Sequence, residues 1–287
     1  MKSYLAQFCL IGLSLVTGGW VVVPEPMIAQ QTQPSEQERW VEIRQVIGNV
    51  TYKGRPAQED DRLEVGEVLT TDDDSIAVLV VDDGISTITV SERTQVKLSN
   101  LEQLFSGAKT THFFVKQGQI RANTRKFTHP NSSFEIAFRG EDDEVEGGIA
   151  GTRGTDFGVA VGPNGKTGVS TRQGTVALTA LEQTVLVEEG NSSLVVPGEP
   201  PTPPRSTNTN SQLKLQVLSA TEEQNVRVVA EVDPLSLVFL NGQAVDTNRR
   251  GQLETVVPIP DNSVIRLVIR SPLGTQQVYE LDLNSLL

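Results

Sequence analysis

From Trp40 onward the chain repeats one pattern: a short run of alternating apolar and polar residues, a glycine or acidic turn, then another run. Ile43, Val46 and Val50 open the series, with Gly48 and Gly54 at the turns. Residues 63–69 and 76–81 form the next runs. A period of two marks a strand with one buried face, because successive side chains point to opposite sides of the pleat. Asp82-Asp83-Gly84 separates two such runs and predicts a hairpin, since Asp and Gly tolerate the positive φ that tight turns demand. Ile85, Ile88 and Val90 follow it, then Val96 and Leu98. Strands are further predicted at residues 113–115, at Ile120, through the alternating Phe134, Ile136 and Phe138, and at residues 157–161, 169–171, 176–178 and 185–187, with Gly118 and Gly140 as punctuation. Residues 100–108 are the one stretch whose spacing predicts a helical turn.

The pattern breaks at residues 197–211, where five prolines and then a Ser/Thr/Asn-rich stretch read as an extended, semi-rigid spacer without a packed element. After it the strand pattern resumes: Val226, Val228 and Val229, then residues 235–240, Asn241-Gly242 as a hairpin turn, Val256-Val257, residues 264–269 and residues 278–283. Roughly seven short strands in so short a stretch predict a sandwich. The expected fold class is all-β throughout, in two units: residues 40–196 and residues 212–287.

Composition narrows this reading. Aromatics make up only 5%, so Val, Leu and Ile must build the core. A net charge of -12 repels phosphate backbones and anionic lipid, which argues against nucleic acid as a partner. The only cysteine, Cys9, lies near the start, leaving the rest without a disulfide or thiolate chemistry. Residues 1–29 read as a secretory signal: Lys2, an apolar run over residues 8–23, and Met27-Ile28-Ala29 before a cleavage point at Gln30. Residues 30–39 read as a polar lead-in. The expected location is periplasmic or extracellular, with membrane contact only if the leader stays uncleaved.

Several spaced elements together resemble the FecR-type periplasmic domain. They are Leu63-Glu64-Val65-Gly66-Glu67-Val68-Leu69, Ser75-Ile76-Ala77-Val78-Leu79, Asp83-Gly84, Gly118-Gln119-Ile120-Arg121, Gln173-Gly174-Thr175-Val176 and Glu189-Gly190. Most specific is Gly151-Thr152-Arg153-Gly154-Thr155-Asp156-Phe157, followed by Gly158-Val159. The match runs over about residues 46–196 and implies an exported β-rich module, solenoid-like or sandwich-like. In the family's best-known members that module relays a signal from an outer-membrane receptor to a sigma factor, through a cytoplasmic helical arm placed before a membrane span. Here only a few residues precede the apolar run, so the expectation is the envelope module without that arm. Residues 238–245, 251–253 and 257–262 similarly resemble a small bacterial Ig-like domain, a type that serves as spacer or adhesive module.

Candidate chemistry is sparse. The stretch Gly151, Thr152, Arg153, Gly154, Thr155, Asp156 lacks the Gly-Lys-Ser/Thr ending of a phosphate loop, so a tight bend with Arg153 paired to a nearby carboxylate, such as Asp156, is expected. Asp72-Asp73-Asp74 and residues 141–146 are acidic but lack the ligand spacing of a calcium loop, and read as solvated turns. His112 and His129 belong to no zinc or triad pattern. For sugar stacking the part after the leader offers one tryptophan, Trp40, with Tyr52 and Tyr279 as helpers. The expectation is therefore a non-catalytic protein with no cofactor and no metal, whose partner is an envelope protein or, alternatively, a cell-wall glycan.

Overall fold

The computed structural model describes residues 38–140, 146–207, 212–221 and 224–284. No helix forms among them, and the architecture is all-β, in two sandwiches. The first contains β1 (Val41–Ile47), β2 (Val50–Tyr52), β3 (Arg55–Pro56), β4 (Val68–Thr71), β5 (Ile76–Val81), β6 (Ser86–Val90), β7 (Gln95–Gln103) and β8 (Lys109–Thr124). It continues through β9 (Ser133–Arg139), β10 (Glu146–Thr152), β11 (Asp156–Val161), β12 (Thr167–Gln173), β13 (Thr175–Ala180), β14 (Gln183–Glu188), β15 (Asn191–Val195) and β16 (Arg205–Ser206).

One layer runs β1-β5-β6-β8-β11-β12-β15-β16, antiparallel throughout. The other runs β3-β2-β4-β7-β8-β9-β10-β13-β14, with β8 and β9 parallel. Strand β8 belongs to both layers. Its first half pairs β7 and β9, and its second half pairs β6 and β11. Gly118 sits at the change-over with φ +96, and a Cβ there would lie 2.5 Å from Thr94 Cα. Only glycine combines that backbone angle with that closeness. What the sequence marks as punctuation between two strands is thus a bend within one.

Alternate residues of both layers meet in one core, including Ile43, Leu79, Ile88, Ile120, Phe157 and Val169 from one side and Leu69, Val96, Phe113, Phe134, Ile136 and Leu178 from the other. Phe134 meets Phe157 edge-on across the layers, 6.4 Å between ring centres. Such a pair contributes about 0.5–1.5 kcal/mol beyond its burial. Of the two shapes the resemblance implied, this is the sandwich and not the solenoid, because its strands, all but the β8–β9 pair antiparallel, form two layers over one core instead of stacked parallel coils.

Other sequence expectations are corrected locally. Residues 100–108 form no helical turn: β7 extends to Gln103 and a short hairpin turn leads into β8, with Leu104 N–H donating to Ala108 O at 2.8 Å. A single helical turn is too short to hold itself together, whereas the β7–β8 ladder pairs each of Asn100, Leu101, Glu102 and Gln103 with a residue of β8. Of residues 63–69 only Val68 and Leu69 enter a strand, because Gly66 turns the chain at φ +94. Strand β10 had no apolar signal. Within the stretch read as a spacer, Arg205–Ser206 pairs with β15, so part of it is fastened to the sheet.

The second sandwich contains β17 (Lys214–Thr221), β18 (Asn225–Glu231), β19 (Leu237–Leu240), β20 (Gln243–Val245), β21 (Gln252–Pro258), β22 (Val264–Arg270) and β23 (Gln276–Asp282). A sheet β17-β18-β21 faces a sheet β20-β19-β22-β23. Asn241 and Gly242 take φ of 47° and 80°, as the predicted hairpin requires.

The two sandwiches pack directly. Strands β11 and most of β12 are buried on both faces. Phe157, Val159 and Val169 point into the first core, while Gly158, Ala160 and Gly168 point toward the second sandwich. There Ala160 meets Leu237, Phe239 and Val268 in a small apolar seam. The glycines leave room for main chain: a Cβ on Gly158 would lie 1.9 Å from Pro272 O, and one on Gly168 2.5 Å from Leu235 O. Polar bonds rim the seam. Gln119 Nε2 donates to Ser271 O and Pro272 O, both at 2.8 Å, and Asn164 N–H donates to Asp246 Oδ1 at 2.9 Å. Lys166 Nζ donates to the Thr247 hydroxyl and to Asn248 O. Arg270 pairs with Glu92 while lying 5.1 Å over the Phe239 ring. Burial pushes the Lys166 ammonium down to about 8, with Asp246 and Asp233 pulling the other way.

Candidate functional site

The Gly151–Phe157 stretch carries the chain from one layer of the first sandwich to the other. Thr152 pairs with Phe134 in the β9 layer, and Asp156 pairs with Asn123 of β8 and Gln173 of β12 in the opposite layer. Between them Gly154 takes φ +142, and a Cβ there would lie 2.5 Å from Lys126 Cα. Thr152 Oγ1 accepts from Gly154 N–H at 3.1 Å, and Thr155 O accepts from Thr124 N–H at 2.8 Å. Phe157 is fully buried in the core.

The expected Arg153–Asp156 pair does not form. Arg153 instead donates to His129 O at 3.0 Å. Asp156 accepts a two-pronged bond from Arg121, Nε to Oδ1 at 2.9 Å and Nη2 to Oδ2 at 2.7 Å, with Arg172 at 3.4 Å. The cause is alternation: Asp156 lies on the outward face of β11, diagonal to Arg121 on β8, while Arg153 is still in the bend. A bulge between Asp156 and Phe157 leaves Arg172 as the extra residue of β12, aimed at the same carboxylate. The Asp156 carboxylate in turn raises the Arg121 guanidinium above its ordinary value. The motif therefore fastens a layer crossing.

The remaining candidates are dispersed. In the acidic turn, Asp72 accepts from Asn49 at 2.8 Å, Asp73 pairs with Arg93, and Asp74 N–H donates to Glu92 at 2.6 Å. Residues 141–145 lie outside the described residues, as does the side chain of Glu146. His112 lies within β8, and His129 Nδ1 accepts from Asn131 N–H at 3.2 Å in a loop. No group of three or more metal-ligating side chains gathers among the described residues. Of the rings considered for sugar stacking, Tyr52 is 2% exposed, its hydroxyl bonded to Arg62 O and Glu64 N–H. Trp40 is half-buried beneath the Arg62 guanidinium, and Tyr279 is tied to Leu213 N–H and Gln277. A cleft of about 590 Å³ beside β16 is lined by Arg205, Lys214, Glu231, Asp233, Arg249 and Arg250. Its charges are largely paired, Lys214 with Glu231, Arg205 with Asp233, and Arg249 with Glu199 beyond the lining.

The open feature is an edge. Strand β14 ends its layer, bonded on one side to β13 through a hairpin whose turn is Leu181-Glu182. Ala180 and Gln183 close that hairpin. In a two-residue hairpin the closing pair exchanges both main-chain bonds and the alternation proceeds from there. Gln183, Val185 and Val187 thus bond inward, and Thr184, Leu186 and Glu188 direct N–H and C=O outward. Leu186 is 59% exposed and Leu181 58%. Natural edges are blunted by lysine, proline, bulges or charge. Strand β17 has Lys214 and a bulge, β21 ends in Pro258, and β23 presents Glu280 and Asp282. Strand β1 is capped by the chain at Asp60, Asp61 and Leu63. Strand β14 has one charge, at its last residue, and none of the other devices. Its apolar run was visible in the sequence, but its edge position depends on pairing across the fold.

No family model matches this chain, and no curated protein matches it. Among solved structures, two crystal structures of a candidate anti-sigma factor from Parabacteroides distasonis match at TM-score 0.39 and 13% identity. The match covers 50% of this chain and 61% of that one, so this chain spans less than two thirds of that protein's length. A polysaccharide lyase structure matches at TM-score 0.20 and 11% identity, over 84% of this chain and 38% of that one. At these scores the likeness carries no argument about function.

Proposed function

We propose that this chain is an exported, non-catalytic interaction module of the cell envelope, of FecR type with an Ig-like second sandwich, and that it works by receiving a strand at the β14 edge. The observation that carries this reading is the outward main chain of Thr184, Leu186 and Glu188 beside the exposed Leu186 side chain. Strand addition draws affinity from main-chain bonds and specificity from alternate side chains, and an apolar edge without blunting devices suits it. Export rests on the leader-like residues 1–29, and the FecR reading on the ordered motif residues ending in Phe157. The packed seam supports a scaffold role, since it holds the second sandwich at a fixed place on the outer face of β11 and β12.

The test is a pull-down from envelope extract and on purified peptidoglycan, using the wild type and Thr184→Pro. Proline at an outward edge position removes one main-chain donor without touching the β13 ladder. Capture of a protein, a second copy of this chain included, by the wild type and its loss in the variant is the expected result. Retention on glycan with no protein captured would overturn the reading.

A further inference from the structure

Resting on the reading of β14 as a receiving edge, we infer that its occupant is a second copy of this chain, paired antiparallel about a two-fold axis through Leu186. The sequence Gln183-Thr184-Val185-Leu186-Val187-Glu188 is complementary to itself in only one central register. The outward residues Thr184, Leu186 and Glu188 must face outward residues of the partner strand, because only they have free main-chain groups. With Leu186 opposite its own copy, Thr184 faces Glu188 of the second chain at both ends. The hydroxyl then meets the carboxylate, and the two glutamates stay apart. On the inner side Val185 faces Val187 of the copy, so the apolar face of the layer runs on across the axis.

Shifting the centre to Val185 or Val187 pairs main-chain groups already bonded to β13. Shifting it to Glu188 places two carboxylates directly opposite, which is destabilising. Shifting it to Thr184 moves both Leu186 side chains off the axis and leaves each facing Glu182 of the turn. The Leu186-centred register is therefore the one that satisfies charge, main chain and apolar contact together. An isologous contact of this kind closes at two copies, so an edge that would otherwise invite open-ended stacking is used up.

The experiment is cysteine cross-linking read beside sedimentation velocity, on the full chain with Cys9→Ser. Opposed residues of a bonded antiparallel pair have Cα atoms about 5.5 Å apart, within disulfide range. Leu186→Cys is expected to form a disulfide-linked dimer on mild oxidation. Thr184→Cys alone is expected not to, since its own copy lies about four residues away along the strand, roughly 13 Å. A mixture of Thr184→Cys and Glu188→Cys chains is expected to cross-link. In sedimentation the unmodified protein is expected at twice the chain mass, and Leu186→Lys at the chain mass. A monomer at every concentration, together with no Leu186→Cys cross-link, overturns the second-copy assignment. If the wild type still captures an envelope protein that Thr184→Pro loses, only the second copy falls and the receiving edge stands. If that capture is absent too, both fall.

Discussion

Replacing Gly158 by valine tests whether the seam between the sandwiches rests on missing side chains. A Cβ at this position would lie 1.9 Å from Pro272 O, 2.6 Å from Pro272 C and 3.2 Å from Leu273 N. All three are main-chain atoms, so no rotamer change relieves the clash. Ordinary contact begins near 3.5 Å, so the second sandwich must retreat by roughly 1.5 Å at that point. A gap of 0.5–1 Å already forfeits about a quarter to a half of a dispersion contact. Leu237, Phe239 and Val268 meet Ala160 here, and each fully buried side chain of this size contributes about 1.5–3 kcal/mol. Losing half of that across the three gives a cost of about 2–4 kcal/mol, and the main-chain acceptors of Gln119 move with the same wall. The assay is calorimetry with limited proteolysis. The wild type is expected to melt as one unit and resist cleavage across residues 197–207, and Gly158→Val to show an earlier transition and faster cleavage there. Gly151→Ala is the control, since its Cβ would first meet Glu135 Cγ at 3.6 Å. A Gly158→Val protein that melts and resists protease like the control would refute the seam as described.

Lys166 makes stability depend on pH. Its folded value of about 8 lies below the ordinary 10.5, so folding penalises the ammonium below about pH 8 and the penalty fades as pH rises from there to 10.5. The full effect is on the order of 3 kcal/mol at about 1.4 kcal/mol per pH unit, and denaturant titrations of wild type at pH 7 and pH 10 are expected to differ by more than those of Lys166→Met. Asp156→Asn is expected to cost about 1–3 kcal/mol in urea unfolding, because it removes the charge held by Arg121 while leaving Arg172 exposed to water. Gly118→Ala is expected to cost about 2–4 kcal/mol by the same measurement, through the unfavourable φ and the 2.5 Å approach to Thr94. Unchanged midpoints would contradict either assignment.

Local signals made the strands legible. Asp82 and Gly84 take φ of 49° and 78°, as the Asp-Asp-Gly spelling requires, and Phe134, Ile136 and Phe138 alternate into the core as their spacing says. Strand β10 was invisible because its glycines serve its neighbours: a Cβ on Gly148 would lie 2.5 Å from the Phe138 ring and 2.7 Å from Thr179 O. The helical turn expected at residues 100–108 failed because ladder pairing with β8 outweighs a one-turn propensity. The Gly151–Phe157 motif was legible as a bend, but not its ion pair, since Arg121 comes from a strand 35 positions earlier. The seam had no spelling at all. Gly158, Ala160 and Gly168 look like weak strand residues until the second sandwich is laid over them.

The double membership of β8 also dictates when folding can finish. A ribosome delivers the chain from its amino end, and β8 needs β6 and β7 from upstream as well as β9 and β11 from downstream. The four strands that flank β8 are not all present until about residue 161 has emerged, so β8 and the strands before it must wait with apolar faces uncovered. That waiting interval is when holding chaperones have most to bind. Any slowing of synthesis just after β8 would lengthen it.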